Sequence, residues 1–326
     1  MTVLSDPATF TIGPVECPPG ERASGLIPVA AGVHGALIGI PVLVVNGEQP
    51  GPRLALSAGI HGDEYDPMAA VRRVLAETDP ATLRGTLIGL PCVNTPAFDA
   101  AARTSGIDDG NLNRIFPGDA SGSISQRIAA TFVDVVIPAI DALVDLHTGG
   151  ALGEIMPLTI VQGGFEELAY DLGRAIGHEV IWKGGRWGGT ARIATLEAGK
   201  PAVTVEVGGG VFREEVVDAH AEAVRNAMRH LGMLDGEVAA PDAWTEVAGG
   251  FARASAGGFL ELHMEPGDRK RAGEPLATIV DHVGTVRERV VAPADGIVLW
   301  TRRVHTVQPG AEVVIFGEVL DSGRKD

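Results

Sequence analysis

Residues 53–64, RLALSAGIHGDE, carry the pattern that decides the fold. The apolar run at 53–59 predicts a buried strand, and the glycines at 59 and 62 let the backbone turn sharply after it. His61, Asp63 and Glu64 follow at once. By themselves, His61 and Glu64 are either a metal-ligand pair or the polar first turn of an ordinary helix, because a pair with this spacing also arises by chance.

Apolar runs and amphipathic stretches alternate along the chain as far as about residue 235. Further strands are predicted at 85–93, 142–147, 156–162 and 202–208, and helices at 123–140 and 213–232. This alternation predicts an α/β architecture, with helices on both faces of a mixed sheet that is parallel at least in part. In such sheets ligands bind beyond the carboxyl ends of the strands.

The pattern changes after about residue 240, where AAPDAW reads as a linker. Two similar stretches follow, 258–280 and 296–319, each with a strand, a basic turn and a second strand. They resemble the halves of a biotinyl/lipoyl-type barrel, but the hairpin DHVGTVRER (281–289) lacks the lysine that a carrier domain modifies. We therefore predict a catalytic domain at 1–240 and a smaller β-rich, barrel-like domain at 241–326.

Charge and composition restrict the classes of partner. The formal charge of −16 disfavours nucleic acid and anionic membrane surfaces, which would repel the chain. The amino terminus lacks the pattern of a signal peptide, and two cysteines do not make a disulfide framework, so we expect a cytoplasmic protein. Small molecules and protein partners remain, and a homo-oligomer is compatible with the sequence.

Two later strands carry isolated polar residues. His147 ends the strand ALVDLH before a glycine turn and is the best third metal ligand, with Asp145 on the same strand face as an acceptor that would orient it. Glu206, the one charge in AVTVEVGGG, would have a raised pKa if buried, which suits a general base. Each residue also has a structural alternative. His147 can be a buried histidine with its hydrogen bonds satisfied, Asp145 a capping or surface residue, and Glu206 a side chain that faces solvent on an edge strand.

Two loops add further candidates. The long polar segment 93–118 contains Arg103, Asn113 and Arg114, which can bind a carboxylate or an oxyanion but can also be exposed side chains. The glycine-rich segment 183–192, with Lys183, Arg186, Trp187 and Arg192, is either a substrate contact or a flexible surface loop.

Four motifs together resemble one family. GIHGDE, NTPAF followed by ARTSGIDDGNLNRIFPG, DLHTGG and TVEVGG occur in the order seen in the succinylglutamate desuccinylase/aspartoacylase family, a branch of the zinc carboxypeptidase fold. The resemblance covers about residues 30–235, and the sequence RTSGIDDGNLNRIFPG looks closer to the branch that contains the N-acetyl-diaminobutyrate deacetylase than to the desuccinylases.

The resemblance implies a zinc carboxypeptidase-like fold and one Zn²⁺ per chain. It implies that His61, Glu64 and His147 bind the metal and that Glu206 is the general base and acid. It also implies that Arg103 polarises the scissile carbonyl, while Asn113 and Arg114 hold the α-carboxylate of the substrate. The predicted function is zinc-dependent hydrolysis of the amide bond of a small N-acylated amino acid. The alternatives are a zinc carboxypeptidase acting on small peptides and a non-catalytic metal-binding relative.

Overall fold

The computed structural model describes residues 8–184 and 188–324. The strands, β1 to β18, are Phe10–Ile12, Val15–Cys17, Glu21–Ala31, Leu37–Asn46, Gln49–Ser57, Arg84–Leu90, Ala142–His147, Gly153–Gln162, Val180–Gly184, Ala202–Gly208, Ala243–Arg253, Gly258–Leu262, Arg269–Lys270, Pro275–Val280, Val286–Val291, Gly296–Arg302, Thr306–Val307 and Glu312–Arg324. The α-helices, α1 to α7, are Tyr65–Glu77, Thr95–Asp99, Ile124–Thr131, Ile137–Ala139, Glu166–Ala175, Ala191–Glu197 and Glu214–His230.

A mixed twelve-stranded sheet is the frame of the molecule. Its order is β13-β16-β18-β11-β9-β8-β10-β7-β5-β6-β4-β3. The four neighbours β6, β5, β7 and β10 run parallel, so their carboxyl ends meet at one edge. The predicted mixed sheet with a parallel part is confirmed.

The predicted elements agree with the structure to different degrees. Strands β7 and β10 have the predicted bounds, and α7 fills the predicted helix at 213–232. The predicted helix at 123–140 is interrupted: α3 continues through a π-helical segment, Phe132–Val136, into α4. Its predicted capping interaction is present, since Gln126 Oε1 accepts from the Ser123 N–H at 2.9 Å.

Strand β10 shows that helices cover both faces of the sheet. A Cβ placed on Gly173 of α5 would lie 3.7 Å from Val203 Cγ1. Arg192 of α6 donates to Oγ1 of Thr204, the next residue of β10, at 3.2 Å. Successive residues of a strand point to opposite faces, so α5 and α6 lie on opposite sides. Glu206 shares the face of Thr204 and therefore lies on the α6 side.

The C-terminal region has the internal repeat expected from the sequence. Strands β12, β13 and β14 have the same order of long, two-residue and long strand as β16, β17 and β18. The short strand of each half pairs with the first strand of the other half, β13 with β16 and β17 with β12. The two halves thus hold each other, as a barrel-like domain requires.

A closed barrel of five strands joins this region to the rest of the chain. Strand β16 pairs with β8 as well as with β18, and the ring closes through β11 and β9. A separate apolar core fills it, with residues such as Leu158, Val247 and Leu299. Because this barrel takes strands from both sides of residue 240, the division into domains at 240 stays a prediction. Of the described helices, none is sufficiently long and apolar to cross a membrane.

Candidate metal centre and active site

The loop between β5 and α1 brings His61 and Glu64 together. Gly59 has φ +64°, and a Cβ on Gly62 would come 2.1 Å from the backbone carbonyl carbon of Ala97. Side chains at these two positions would therefore be strained or would clash. The tight turn that results directs both polar residues inward, and His61 Nδ1 lies 2.8 Å from Glu64 Oε1.

His147 reaches the same point from the end of β7. Its Nε2 lies 3.0 Å from Asp145 Oδ2, and Ser57 donates to Asp145 Oδ1 at 2.6 Å. In the parallel register Ser57 lies opposite Asp145, and Glu206 lies opposite His147. Three adjacent strands thus present their polar residues on one face at one edge.

Glu64 is the centre of the cluster. Its Oε2 lies 2.9 Å from His147 Nδ1 and accepts from the Thr148 backbone N–H at 3.2 Å. His61, Glu64 and His147 are almost completely buried, and one potential ligand atom from each lies within 4.8 Å of the others. Two imidazoles and a carboxylate are the donor set of many catalytic zinc sites, so these residues fit such an ion.

The pKa shifts of His61 and Glu64 favour the neutral imidazole and the charged carboxylate, the forms that bind a cation. Burial, reinforced by Arg103, lowers the pKa of His61 to about 4. Burial acts to raise the pKa of Glu64, but His61 and His147 outweigh it and hold that pKa well below its usual value. Burial also acts to lower the pKa of His147, yet the Asp145 and Glu64 carboxylates raise it well above the usual value. A metal at this site would therefore displace a proton from His147.

Glu206 stands beside the cluster and is only partly accessible. Removal from water raises its pKa to about 8; Glu64 and Asp145 act in the same direction, while His147 and Arg103 oppose them. A carboxylate with a pKa near neutrality can both accept and return a proton.

Arg103 and Asn111 hold the outer side of the cluster. Arg103 Nη1 donates to Glu64 Oε1 at 3.0 Å. Asn111 Oδ1 lies 3.2 Å from His61 Nε2 and also accepts from the Asn113 backbone N–H at 3.1 Å. Asn111 had no predicted role, and its only signal in the sequence is its place in the polar loop.

Asn113 and Arg114 form a single 3₁₀ turn, Leu112–Arg114, at the cavity wall. The Ala191 backbone N–H donates to Asn113 Oδ1 at 3.4 Å. A Cβ on Gly189 would lie 2.3 Å from the Arg114 carbonyl oxygen, so the chain before α6 packs directly on this turn. The turn is therefore fixed by a second loop that sequence spacing did not connect with it.

One cavity contains these groups, and both parts of the chain line it. The side with the potential metal cluster contributes His61, Arg103, Asn113, Arg114 and Glu206. The five-stranded barrel contributes an apolar and aromatic wall: Ile155, Ile160, Trp182, Phe251, Trp300 and Ile315. The C-terminal strands add two charged residues, Arg302 and Glu312. The sequence prediction did not identify the residues that form this wall.

The segment 183–192 divides between two places. Arg192 lies at the start of α6, is 5% exposed, and donates to Gln162 Oε1 as well as to Thr204. It lines the cavity, so it is not part of a flexible surface loop. Lys183 instead pairs with Glu246, while Arg186 and Trp187 lie outside the described residues.

All seven residues predicted for the site therefore lie in or around one cavity. His61, Glu64 and His147 form the potential metal cluster, and Glu206, Arg103, Asn113 and Arg114 lie beside it or along the walls. The role of each residue stays a prediction.

Known proteins are similar to this chain in sequence and in fold. A model of the succinylglutamate desuccinylase/aspartoacylase catalytic domain matches residues 50–231. The chain is 31% identical to an N-α-acetyl-L-2,4-diaminobutyric acid deacetylase from Halomonas elongata, covering 87% of this chain and 86% of that protein.

Solved structures extend the likeness to nearly the whole chain. A succinylglutamate desuccinylase from Silicibacter sp. TM1040 is 25% identical with a TM-score of 0.85, covering 95% of this chain and all of that one. The product-bound ectoine utilization protein EutE (DoeB) from Ruegeria pomeroyi is 26% identical, also with a TM-score of 0.85, and the match covers 96% and 99% of the two chains. The matched catalytic domain and the relative's similarity over most of both chains show that this chain belongs to the succinylglutamate desuccinylase/aspartoacylase family.

Proposed function

We propose that this protein is a zinc-dependent amidohydrolase that removes the acyl group from a small N-acylated amino acid. The observation that carries the proposal is the buried His61, Glu64 and His147 cluster, with Glu206 opposite His147 on the neighbouring strand. A metal site with a carboxylate of raised pKa beside it is the arrangement that hydrolysis by activated water requires.

His61, Glu64 and His147 would hold the zinc. When bound, the ion supplies Lewis acidity, which polarises a carbonyl and makes water a stronger acid. Asn111 contacts Nε2 of His61, and Asp145 contacts Nε2 of His147. These contacts keep the two rings in their orientation.

Glu206 moves the proton. Its carboxylate accepts a proton from the water that attacks the amide carbon, and it then delivers that proton to the departing amine. The carbonyl carbon gains the water oxygen, the C–N bond breaks, and the products are a carboxylate and a free amino group. A pKa raised to about 8 by burial allows both transfers near neutral pH.

Three cavity residues would bind and orient the substrate. The Arg103 guanidinium lies at the cluster, where it can donate to the carbonyl oxygen as negative charge develops there. Asn113 and Arg114 line the wall nearby and can bind the α-carboxylate through an amide and a guanidinium.

The first substrate to test is Nα-acetyl-L-2,4-diaminobutyrate, the compound in the name of the Halomonas relative. The barrel strands form one wall of the cavity, which favours a small substrate over an extended peptide. This wall is the observation that separates the deacylase from the carboxypeptidase alternative.

The test compares substrate classes on protein reconstituted with one equivalent of zinc. The panel contains Nα-acetyl-diaminobutyrate, N-acetyl-aspartate, N-succinyl-glutamate and a set of tripeptides, with released amine as the readout. We expect turnover of at least one N-acyl amino acid, no turnover by the metal-free protein, and strongly reduced turnover by Glu206→Gln. Preferential cleavage of the peptides would indicate the carboxypeptidase, and zinc binding without any hydrolysis would indicate a non-catalytic relative.

A further inference from the structure

We propose that Trp300, in the C-terminal strand β16, is a positioning residue for the metal site. The inference rests on the proposed metal site but concerns a different part of the chain. Trp300 lies 94 residues beyond Glu206 (300 − 206), outside the segment that matches the catalytic-domain model. Its indole reaches the loop that follows His147.

Strand pairing brings Trp300 to this loop. Strand β16 pairs antiparallel with β8, with Trp300 opposite Ile155 and Arg302 opposite Gly153. A Cβ on Gly153 would lie 2.1 Å from Cε2 and Cζ2 of the indole. The ring therefore occupies the space that a side chain at 153 would fill, and any residue larger than glycine there would displace it.

The indole makes one directional contact. Its Nε1–H donates to the carbonyl oxygen of Gly149 at 3.1 Å, and Trp300 is 7% exposed. A buried indole N–H that lost this acceptor would lose a hydrogen bond without gaining water in its place. The contact therefore holds the position of Gly149 relative to the barrel.

The loop after His147 contacts Glu64, a predicted metal ligand. Thr148, the residue between His147 and Gly149, donates its backbone N–H to Glu64 Oε2 at 3.2 Å. On the other side, Gly149 donates its own N–H to the Gly208 carbonyl at 2.9 Å. The peptide at Gly149 is thus fixed between strand β10 and the barrel. A shift at Gly149 would move the Thr148 N–H that contacts Glu64.

Other contacts hold the residues that follow Gly149. Ala151 donates its N–H to Asp63 Oδ2 at 3.0 Å, and Gly210 donates to the Gly150 carbonyl at 2.8 Å. Gly149 itself receives the hydrogen bond from Trp300, which lies in the C-terminal region. Removing a group that is hydrogen-bonded to a metal ligand typically changes metal affinity or activity 10- to 100-fold. The Thr148 N–H is such a group for Glu64, and Trp300 acts on it through Gly149, so the lower end of that range is expected.

The decisive experiment removes the indole N–H and follows the metal as well as turnover. Trp300→Phe keeps an aromatic ring, and incorporation of 3-benzothienylalanine at position 300 keeps the bicyclic shape while replacing N–H by sulfur. Trp244→Phe is the matched control, because Trp244 stacks on Arg174 at 3.5 Å and does not line the cavity. For each protein the zinc dissociation constant is measured by chelator competition, together with the visible spectrum of the Co²⁺ form and with kcat and KM.

We expect both changes at position 300 to weaken zinc binding about tenfold and to alter the Co²⁺ spectrum. We also expect kcat at saturating zinc to fall more than KM rises, while Trp244→Phe behaves as wild type. The benzothienyl protein keeps the test valid if Trp300→Phe does not fold.

Unchanged zinc affinity and Co²⁺ spectrum in the benzothienyl protein would overturn the proposal, even if its melting temperature fell. Failure of the proposed function has a different signature. In that case no N-acyl amino acid is hydrolysed by the wild-type protein, while the metal measurements still report on Trp300.

Discussion

Asp145 and His147 lie two positions apart on β7, and their side chains meet on one face of the strand, with Oδ2 3.0 Å from Nε2. The contact leaves Nδ1 of His147 facing Glu64. The spacing of two along a strand thus fixes which ring nitrogen is available to a metal.

Asp145→Asn is expected to weaken zinc binding 10- to 100-fold, because a neutral amide supports the imidazole less than a carboxylate does. Chelator competition on the purified variant measures this. Ser57→Ala is the matched control: it removes one hydrogen bond from Asp145 but leaves its charge, so its effect should be smaller. Equal zinc affinity in wild type and Asp145→Asn would contradict the role given to Asp145.

Glu206→Gln is expected to lower kcat by about 10²–10⁴, since the amide cannot take up the proton of the attacking water. Zinc content should stay at the wild-type level, because Glu206 is not among the three clustered residues that could hold a metal. Steady-state kinetics and metal analysis on the same sample separate the two effects. Turnover within tenfold of wild type would mean that another group is the base.

Arg103 and Arg114 should affect different kinetic constants. Arg103 lies at the Glu64 carboxylate, so Arg103→Ala is expected to lower kcat about 10²–10³-fold through loss of a donor to the oxyanion. Arg114 lies along the wall, so Arg114→Ala should mainly raise KM for substrates with a free α-carboxylate. Comparing each substrate with its α-amide tests this, since the amide should be insensitive to Arg114→Ala. The opposite pattern would exchange the two roles.

Glu154 links the barrel to the loop before α7. It pairs with Arg213 at 2.9 Å and with Arg303 at 2.7 Å, and its side chain is 25% exposed. Glu154→Gln is expected to cost about 1–3 kcal/mol of stability, because two half-buried guanidinium groups lose a charged partner. Thermal denaturation measures the change. Arg73→Gln removes exposed pairs with Glu214 and Asp218 and should have little effect; similar losses in both variants would contradict the argument.

His220, fully buried on α7, should contribute to loss of stability in acid. Burial lowers its pKa to about 3, well below the usual 6.5. The unfolded chain therefore binds a proton between about pH 6.5 and 3 that the folded chain does not, and stability falls as the pH drops through this window. Within this window the free energy of unfolding falls by about 1.4 kcal/mol for each unit of pH. Urea denaturation from pH 7 to 4.5 should show a shallower decline for His220→Leu, and parallel curves would exclude His220 as a contributor.

Some features of the fold and the site follow from local pattern. An apolar run of strand length that ends in a polar residue and glycine predicted β7 and β10 to the residue. The same pattern placed His147 and Glu206 at one sheet edge, because parallel strands share the direction of their carboxyl ends. The positions of Asn111 and Arg192 could not be predicted in this way, since each depends on how one loop packs on another.

The sequence alone therefore determined the parallel part of the sheet, the candidate ligands and the repeat in the C-terminal region, because these are encoded in short-range periodicity and spacing. Only the tertiary structure decided that β16 pairs with β8, that the resulting barrel forms one wall of the cavity, and that Trp300 contacts Gly149. Strand pairing across nearly 150 residues depends on complementary faces that meet only after folding. Local periodicity reports which face of a strand is buried, but it does not name the neighbour that covers it.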